Sequence, residues 1–138
     1  MDINDFYSDL LIEYSRDESY RRELVDAHYS AEMSNPLCGD KVQLFLKVQD
    51  EKVQDISYLG SGCAISQASA GILCSLVKDL SFSDVKNLIE NFNSMILKGQ
   101  VATEELGDAK ILAGVSKLPG RHRCALMSWE NLKQGIAS

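Results

Sequence analysis

From Lys41 the apolar residues fall on every second position: Val42, Leu44, Leu46 and Val48 alternate with Lys41, Gln43, Lys47 and Gln49, and Phe45 faces the other way. A period of two marks a half-buried strand. Gln49-Asp50-Glu51-Lys52 reads as a turn, and Val53 to Leu59, through Ile56 and Tyr58, as the return strand of a hairpin. The outer ends of a hairpin lie side by side, so whatever precedes Lys41 meets whatever follows Leu59. Both neighbours are loops that carry a cysteine: Asn35-Pro36-Leu37-Cys38-Gly39-Asp40 ahead and Gly60-Ser61-Gly62-Cys63 behind.

Elsewhere the period is helical. Phe6, Tyr7, Leu10, Leu11 and Tyr14 predict an amphipathic first helix. Arg16 to Glu23 is dense in charge and is expected to be solvated, and no element is assigned around His28. Ala64 to Val77, rich in alanine and leucine, predicts a helix with Cys63 just ahead of its first turn. The clearest stripe is Phe82, Val85, Leu88, Ile89, Phe92, Met95 and Ile96, entered through Ser81-Phe82-Ser83-Asp84, stopped by Gly99 and read as core. Gln100 to Gly107 reads as a polar connection and Asp108 to Val115 as a short helix ended by Pro119 and Gly120. A last helix is expected from Arg121 or Cys124 through Trp129 and Leu132. Helices packed on one face of a small antiparallel sheet make the class α+β. With 138 residues, no internal repeat and no linker composition, a single domain over 1–138 is expected.

A third cysteine, Cys124, follows Leu118-Pro119-Gly120-Arg121-His122-Arg123. Cys38, Cys63 and Cys124 all sit in loops or at helix starts, beside residues that let the backbone bend, and none belongs to an apolar stripe. Cys74 is the contrast, placed mid-helix among Ile72, Leu73, Leu76 and Val77, and reads as core. Asp40 is two residues from Cys38, so an extended entry to the strand puts both side chains on one face. Taken singly, each residue has an ordinary reading, Asp40 as a turn cap and the cysteines as small buried apolar groups. Taken together, Cys38, Asp40, Cys63 and Cys124 are a four-donor set of the kind that holds zinc, a borderline-soft ion accepting thiolate and carboxylate in a tetrahedron. Three thiolates and a carboxylate outweigh a dication, and Arg121, His122 and Arg123 are placed to offset the excess and to lower thiol pKa values.

Net charge narrows the partners. At -6 the chain lacks the basic face that a nucleic-acid backbone requires. No apolar run approaches the roughly 20 residues needed to span a bilayer, and Met1-Asp2-Ile3-Asn4-Asp5 lacks the basic and apolar regions of a secretory signal. The expected setting is cytoplasmic, where thiols stay reduced and cysteines bind metal or react.

At these residues the chain resembles a known family. Asn35-Pro36-x-Cys38-Gly39-Asp40, Gly60-x-Gly62-Cys63-Ala64-Ile65-Ser66-x-Ala68-Ser69-Ala70, Leu106-Gly107-Asp108 and Gly114-Val115-x-Lys117-Leu118-Pro119-x-Arg121-x-x-Cys124-Ala125-x-x-x-Trp129 are similar to the U-type iron-sulfur cluster assembly proteins. The likeness covers most of residues 35 to 132, in order and spacing. It is nearer to the SufU branch than to the IscU branch, because the segment from Cys63 to Cys124 is long, contains Leu106-Gly107-Asp108, and has Arg123 where the scaffold branch has histidine. The N-terminal third departs: Tyr14, Ser15 and Arg16-Asp17-Glu18 stand where the family carries His-Tyr and Pro-Arg-Asn.

The resemblance implies a zinc-dependent sulfurtransferase that accepts persulfide sulfur from a cysteine desulfurase and hands it to downstream iron-sulfur assembly proteins. Cys38, Asp40, Cys63 and Cys124 would be the zinc ligands. Cys38 would leave the metal on docking, replaced by a partner histidine, and attack the persulfide, and Arg121 matches a family arginine at the docking surface. His122 is displaced by one position from the scaffold histidine and is not assigned as a ligand. Two other readings stand beside this one: a scaffold that assembles an iron-sulfur cluster on the same cysteines, and an interaction domain whose zinc only holds the fold. A cysteine hydrolase is disfavoured, since neither His28 nor His122 lies in a recognisable pairing with a cysteine.

Overall fold

The structure is a computed structural model that describes residues 3–137, with side chains described from residue 8 onward. The expected roles of Phe6 and Tyr7 therefore lie outside the described side chains. The elements run α1 (Ile3–Arg16), β1 (Tyr29–Asn35), β2 (Asp40–Gln49), β3 (Lys52–Ser61), α2 (Ala64–Val77), α3 (Phe82–Lys98), two 3-10 segments (Glu104–Lys117 and Pro119–Arg121) and α4 (His122–Ala137).

The hairpin forms as its pattern demands. β2 and β3 pair antiparallel from Lys41↔Ser61 to Gln49↔Lys52, turning at Asp50 and Glu51. Both turn residues have positive φ, 53° and 59°, the backbone of a tight turn whose twist suits two antiparallel strands. Val42, Leu44 and Leu46 are fully buried with Ile56 and Tyr58 against α2 and α4. α3 closes the same core: Ser81 Oγ accepts from the Asp84 amide at 3.2 Å, and Gly99, at φ 66°, ends the helix with its N–H on the Ser94 carbonyl. Phe92 of α3 stacks on Trp129 of α4 at 3.8 Å between ring centroids, while the indole N–H donates to Ser69 Oγ at 2.9 Å. Cys74 is fully buried in this core, and burial pushes its thiol pKa up.

The hairpin is part of a three-stranded sheet of order β1-β2-β3. β1 covers residues just after His28, to which no element was assigned. Tyr29, Ala31 and Met33 alternate with exposed Ser30, Glu32 and Ser34, a period of two written in weak strand formers. Asn35 ends the strand opposite Asp40.

The charged run after α1 is solvated at most of its charges, as expected, and is also attached to the sheet. Arg16, Asp17, Glu18, Arg22 and Glu23 are exposed, yet the segment is anchored to the sheet. The Tyr20 carbonyl accepts from the Tyr58 amide at 2.9 Å on the free edge of β3. The Arg21 guanidinium lies 5.4 Å from the Tyr58 ring centre and donates to its hydroxyl at 3.2 Å. Arg22 then pairs with Asp55 at 3.2 Å and Asp26 with Lys47, and Asp55 and Lys47 are register partners. Residues 20–28 thus strap the sheet at the end where β2 and β3 turn, away from the cysteine loops.

The short helix expected from Asp108 is present as 3-10 and begins earlier, within the expected polar connection, running from Glu104 to Lys117 with an interruption at Gly107 (φ 49°, ψ -128°). Leu106, Ala109, Leu112 and Val115 are its buried residues, spaced by three. That spacing aligns one face of a helix with three residues per turn. Among the described residues, no helix is long and apolar enough to cross a membrane.

Candidate metal centre

Cys38, Asp40, Cys63 and Cys124 come to one end of the sheet from three directions. Pro36 to Gly39 form the β1–β2 turn, closed by the Cys38 amide on the Asn35 carbonyl at 3.2 Å, with Gly39 at φ 67°. Cys38 is therefore a turn residue and not the extended neighbour of Asp40 that alternation suggested. Asp40 opens β2 and is buried, 1% exposed. Its Oδ1 accepts from the Cys63 amide at 2.7 Å, and its Oδ2 lies 3.6 Å from Cys63 Sγ. Cys63 is the N-cap residue of α2, just ahead of its first turn as expected, at the positive end of the helix dipole. Cys124, in the first turn of α4, is 1% exposed, and its Sγ donates to Cys38 Sγ at 3.3 Å.

Donor atoms of Cys38, Asp40 and Cys124 all lie within 4.8 Å of one another. Cys63 joins the group through Asp40. Thiolates about 2.3 Å from a tetrahedral zinc stand about 3.8 Å apart, and a thiolate and a carboxylate oxygen about 3.5 Å apart; the Cys38–Cys124 sulfurs are 3.3 Å apart and Cys63 Sγ is 3.6 Å from Asp40 Oδ2. Two thiols and a buried carboxylate within 4.8 Å of one another fit a thiophilic dication, and Cys63, outside that trio, reaches it at Asp40.

The basic residues divide. Arg121 Nη1 donates to Cys38 Sγ at 3.6 Å, and Cys38 foremost, with Cys124 and Cys63, raises the arginine's pKa. Arg123 turns away to the Ser34 carbonyl at 3.2 Å and to Glu130 at 3.8 Å. His122 Nε2 engages the Ser116 carbonyl at 3.0 Å and does not join the donors. The expected lowering of thiol pKa values fails at Cys124, which is pushed up by burial first, then by its contacts with Asp40 and Cys38 and by the negative charge of Cys63 and Asp40. Crowded acids in a buried site suppress one another's ionisation, and the arginines do not outweigh that.

Two residues matter that alternation and cysteine spacing did not single out. Gly62, at φ 129°, lets β3 pass against Asp40: a Cβ there would lie 2.3 Å from Asp40 Oδ1. Asn35 reaches Cys124 from the end of β1, its Nδ2 3.4 Å from Sγ. The Asn-Pro pair at a turn is the available sequence signal for Asn35; for Gly62 it is the glycine next to a cysteine.

Residues 7–138 match the family model of the NifU-like N terminal domain. The chain belongs to the U-type iron-sulfur cluster assembly family. It is 34% identical over 136 residues to the iron-sulfur cluster assembly scaffold protein IscU of Streptococcus pyogenes serotype M1, spanning 97% of this chain and 84% of that protein. It is 33% identical over 136 residues to the zinc-dependent sulfurtransferase SufU of Bacillus subtilis (strain 168), spanning 88% and 91%. A solved structure from Fervidobacterium islandicum AW-1, described as a cluster assembly scaffold protein for the SUF system, superposes with a TM-score of 0.88 at 28% identity, covering 96% of this chain and 98% of that one. The U-type fold expected from the resemblance is therefore the fold observed. Its relatives include proteins named for both chemistries, scaffold and sulfurtransferase.

Proposed function

We propose that this U-type protein, as one cytoplasmic domain over 1–138, is a zinc-dependent sulfurtransferase that takes persulfide sulfur from a cysteine desulfurase onto Cys38. The sulfur then passes to downstream iron-sulfur assembly proteins. The observation that carries the reading is the asymmetry of the thiols. Cys38 sits half-buried in a projecting turn beside Leu37, which is 92% exposed, with a guanidinium at its sulfur, while Cys124 is buried. A bound zinc ion, held by Cys38, Asp40, Cys63 and Cys124, would supply the positive charge that keeps these thiols ionised and protected.

In the transfer, the Cys38 thiolate attacks the terminal sulfur of the partner's cysteine persulfide. A new S–S bond forms on Cys38, the partner's S–S bond breaks, and its electron pair leaves with the partner's cysteine as thiolate. Any proton on the terminal sulfur travels with it. Arg121 neutralises the attacking thiolate and aligns it toward the open side of the turn. Arg121→Ala is expected to slow sulfur acceptance by about tenfold while zinc content is kept. Desulfurase turnover measured at fixed zinc checks this, and an unchanged rate would remove Arg121 from the reaction.

The scaffold reading rests on the IscU relatives, since the same donors suit a cluster. His122 is occupied by Ser116, and His28 accepts from the Val48 amide at 3.0 Å near the β2–β3 turn, so no histidine among the described residues supplements the cysteines. Anaerobic iron and sulfide are therefore expected to give no stable visible chromophore; a persistent one would favour the scaffold.

A further inference from the structure

We infer that Asn35 is a positioning residue of the metal centre, using its side-chain amide to hold Cys124 Sγ and its main chain to hold the turn bearing Cys38. This rests on the ligand set proposed above. Asn35 is 3% exposed, and its Nδ2 donates to Cys124 Sγ at 3.4 Å. Its carbonyl accepts the Cys38 amide at 3.2 Å, and it is the register partner of Asp40. One residue thus meets three of the four donor residues, Cys124 at its sulfur and Cys38 and Asp40 at their main chain. Next to it, Arg123 of α4 donates to the Ser34 carbonyl at 3.2 Å, fixing the helix that carries Cys124 against the end of β1.

The side-chain contact has a chemical consequence beyond packing. The other groups around Cys124 Sγ are Cys38, Asp40 and Cys63, acids that become negative when a cation is held. Asn35 supplies a neutral donor there without adding an ionisable group. An N–H donor on a ligand thiolate disperses its negative charge and fixes the direction of its lone pairs, as outer partners of metal ligands generally do.

Two substitutions separate donation from packing. Asn35→Asp keeps the shape and replaces the donor with an anionic acceptor, whereas Asn35→Ala removes the group and adds no charge. If the amide acts as a donor, zinc retention against a chelator falls by about 10- to 100-fold in Asn35→Asp and less in Asn35→Ala. With Co2+ as probe, the thiolate-to-cobalt charge-transfer bands shift in both variants while far-UV circular dichroism is kept. If Asn35 only fills space, Asn35→Ala loses more than Asn35→Asp and the bands of the folded protein do not move, which would overturn the inference, as would no change in either. Absence of thiolate-to-cobalt bands in the unsubstituted protein would instead break the ligand set, and this inference with it.

Discussion

Cys38→Ser is expected to abolish sulfur acceptance. A serine hydroxyl stays protonated at neutral pH; the groups in contact with the position-38 sulfur, an arginine and a second thiol, are not bases suited to activate it, and the Asp40 carboxylate, within 4.8 Å, is engaged by the Cys63 amide. Stimulation of desulfurase turnover is expected to fall by at least about 100-fold. Asp40, Cys63 and Cys124 remain in place, so the fold survives with weakened zinc retention. The outcome separates three readings of the same residues. Unchanged turnover would sink the sulfurtransferase. Lost stability with no effect on any transfer would identify zinc as a structural cross-link. Loss of transfer in a folded protein supports Cys38 as the acceptor.

Gly62→Ala is expected to dismantle the centre without altering a donor. The added methyl would meet Asp40 Oδ1 at 2.3 Å and Asp40 Cα at 2.7 Å, distances that no rotamer change of Asp40 relieves fully. The backbone at φ 129° also disfavours any side chain. Relief requires Asp40 to move away, which breaks its 2.7 Å bond from the Cys63 amide and separates the hairpin from the start of α2. Zinc affinity should drop by about 10- to 100-fold and stability by about 2–4 kcal/mol, read by chelator competition and urea unfolding. Gly114→Ala is the control, because a Cβ there meets nothing within 4 Å. Equal behaviour of the two variants would show that the close approach at Gly62 is not what holds Asp40.

What could be read from the sequence was what local pattern determines. The alternation from Lys41 and the stripe from Phe82 to Ile96 fixed two strands and a helix, because each buries one face against a common core. Cys74 was legible as core from its apolar helix face, and it is fully buried; Cys38 lies in a glycine turn, Cys63 caps α2 and Cys124 opens α4, where it too is buried. β1 escaped because its burial comes from elsewhere: the Tyr29 hydroxyl donates to Asn131 of α4 at 2.9 Å, a contact 102 residues away in sequence. The strap over residues 20–28 escaped for the same reason, as nothing near Arg22 announces Asp55 across the sheet. The 3-10 segment was legible in the three-residue spacing from Leu106 to Val115, a period other than the two tested. At the candidate metal centre the sequence offered the donor set and the motifs containing Asn35 and Gly62, but not what those two residues contact. Asn35 and Gly62 act through distance to Cys124 and Asp40, which only the folded chain supplies.

The central claim is that Cys38 receives sulfur while zinc stays bound. The most direct measurement incubates the zinc-loaded protein anaerobically with a cysteine desulfurase and cysteine, then takes the intact mass and maps the peptides under non-reducing conditions. The expected result is a mass increase of one sulfur atom, located on Cys38, with zinc retained. Sulfur absent from Cys38, with iron and acid-labile sulfide bound in place of zinc once iron is supplied, would contradict it and leave the scaffold.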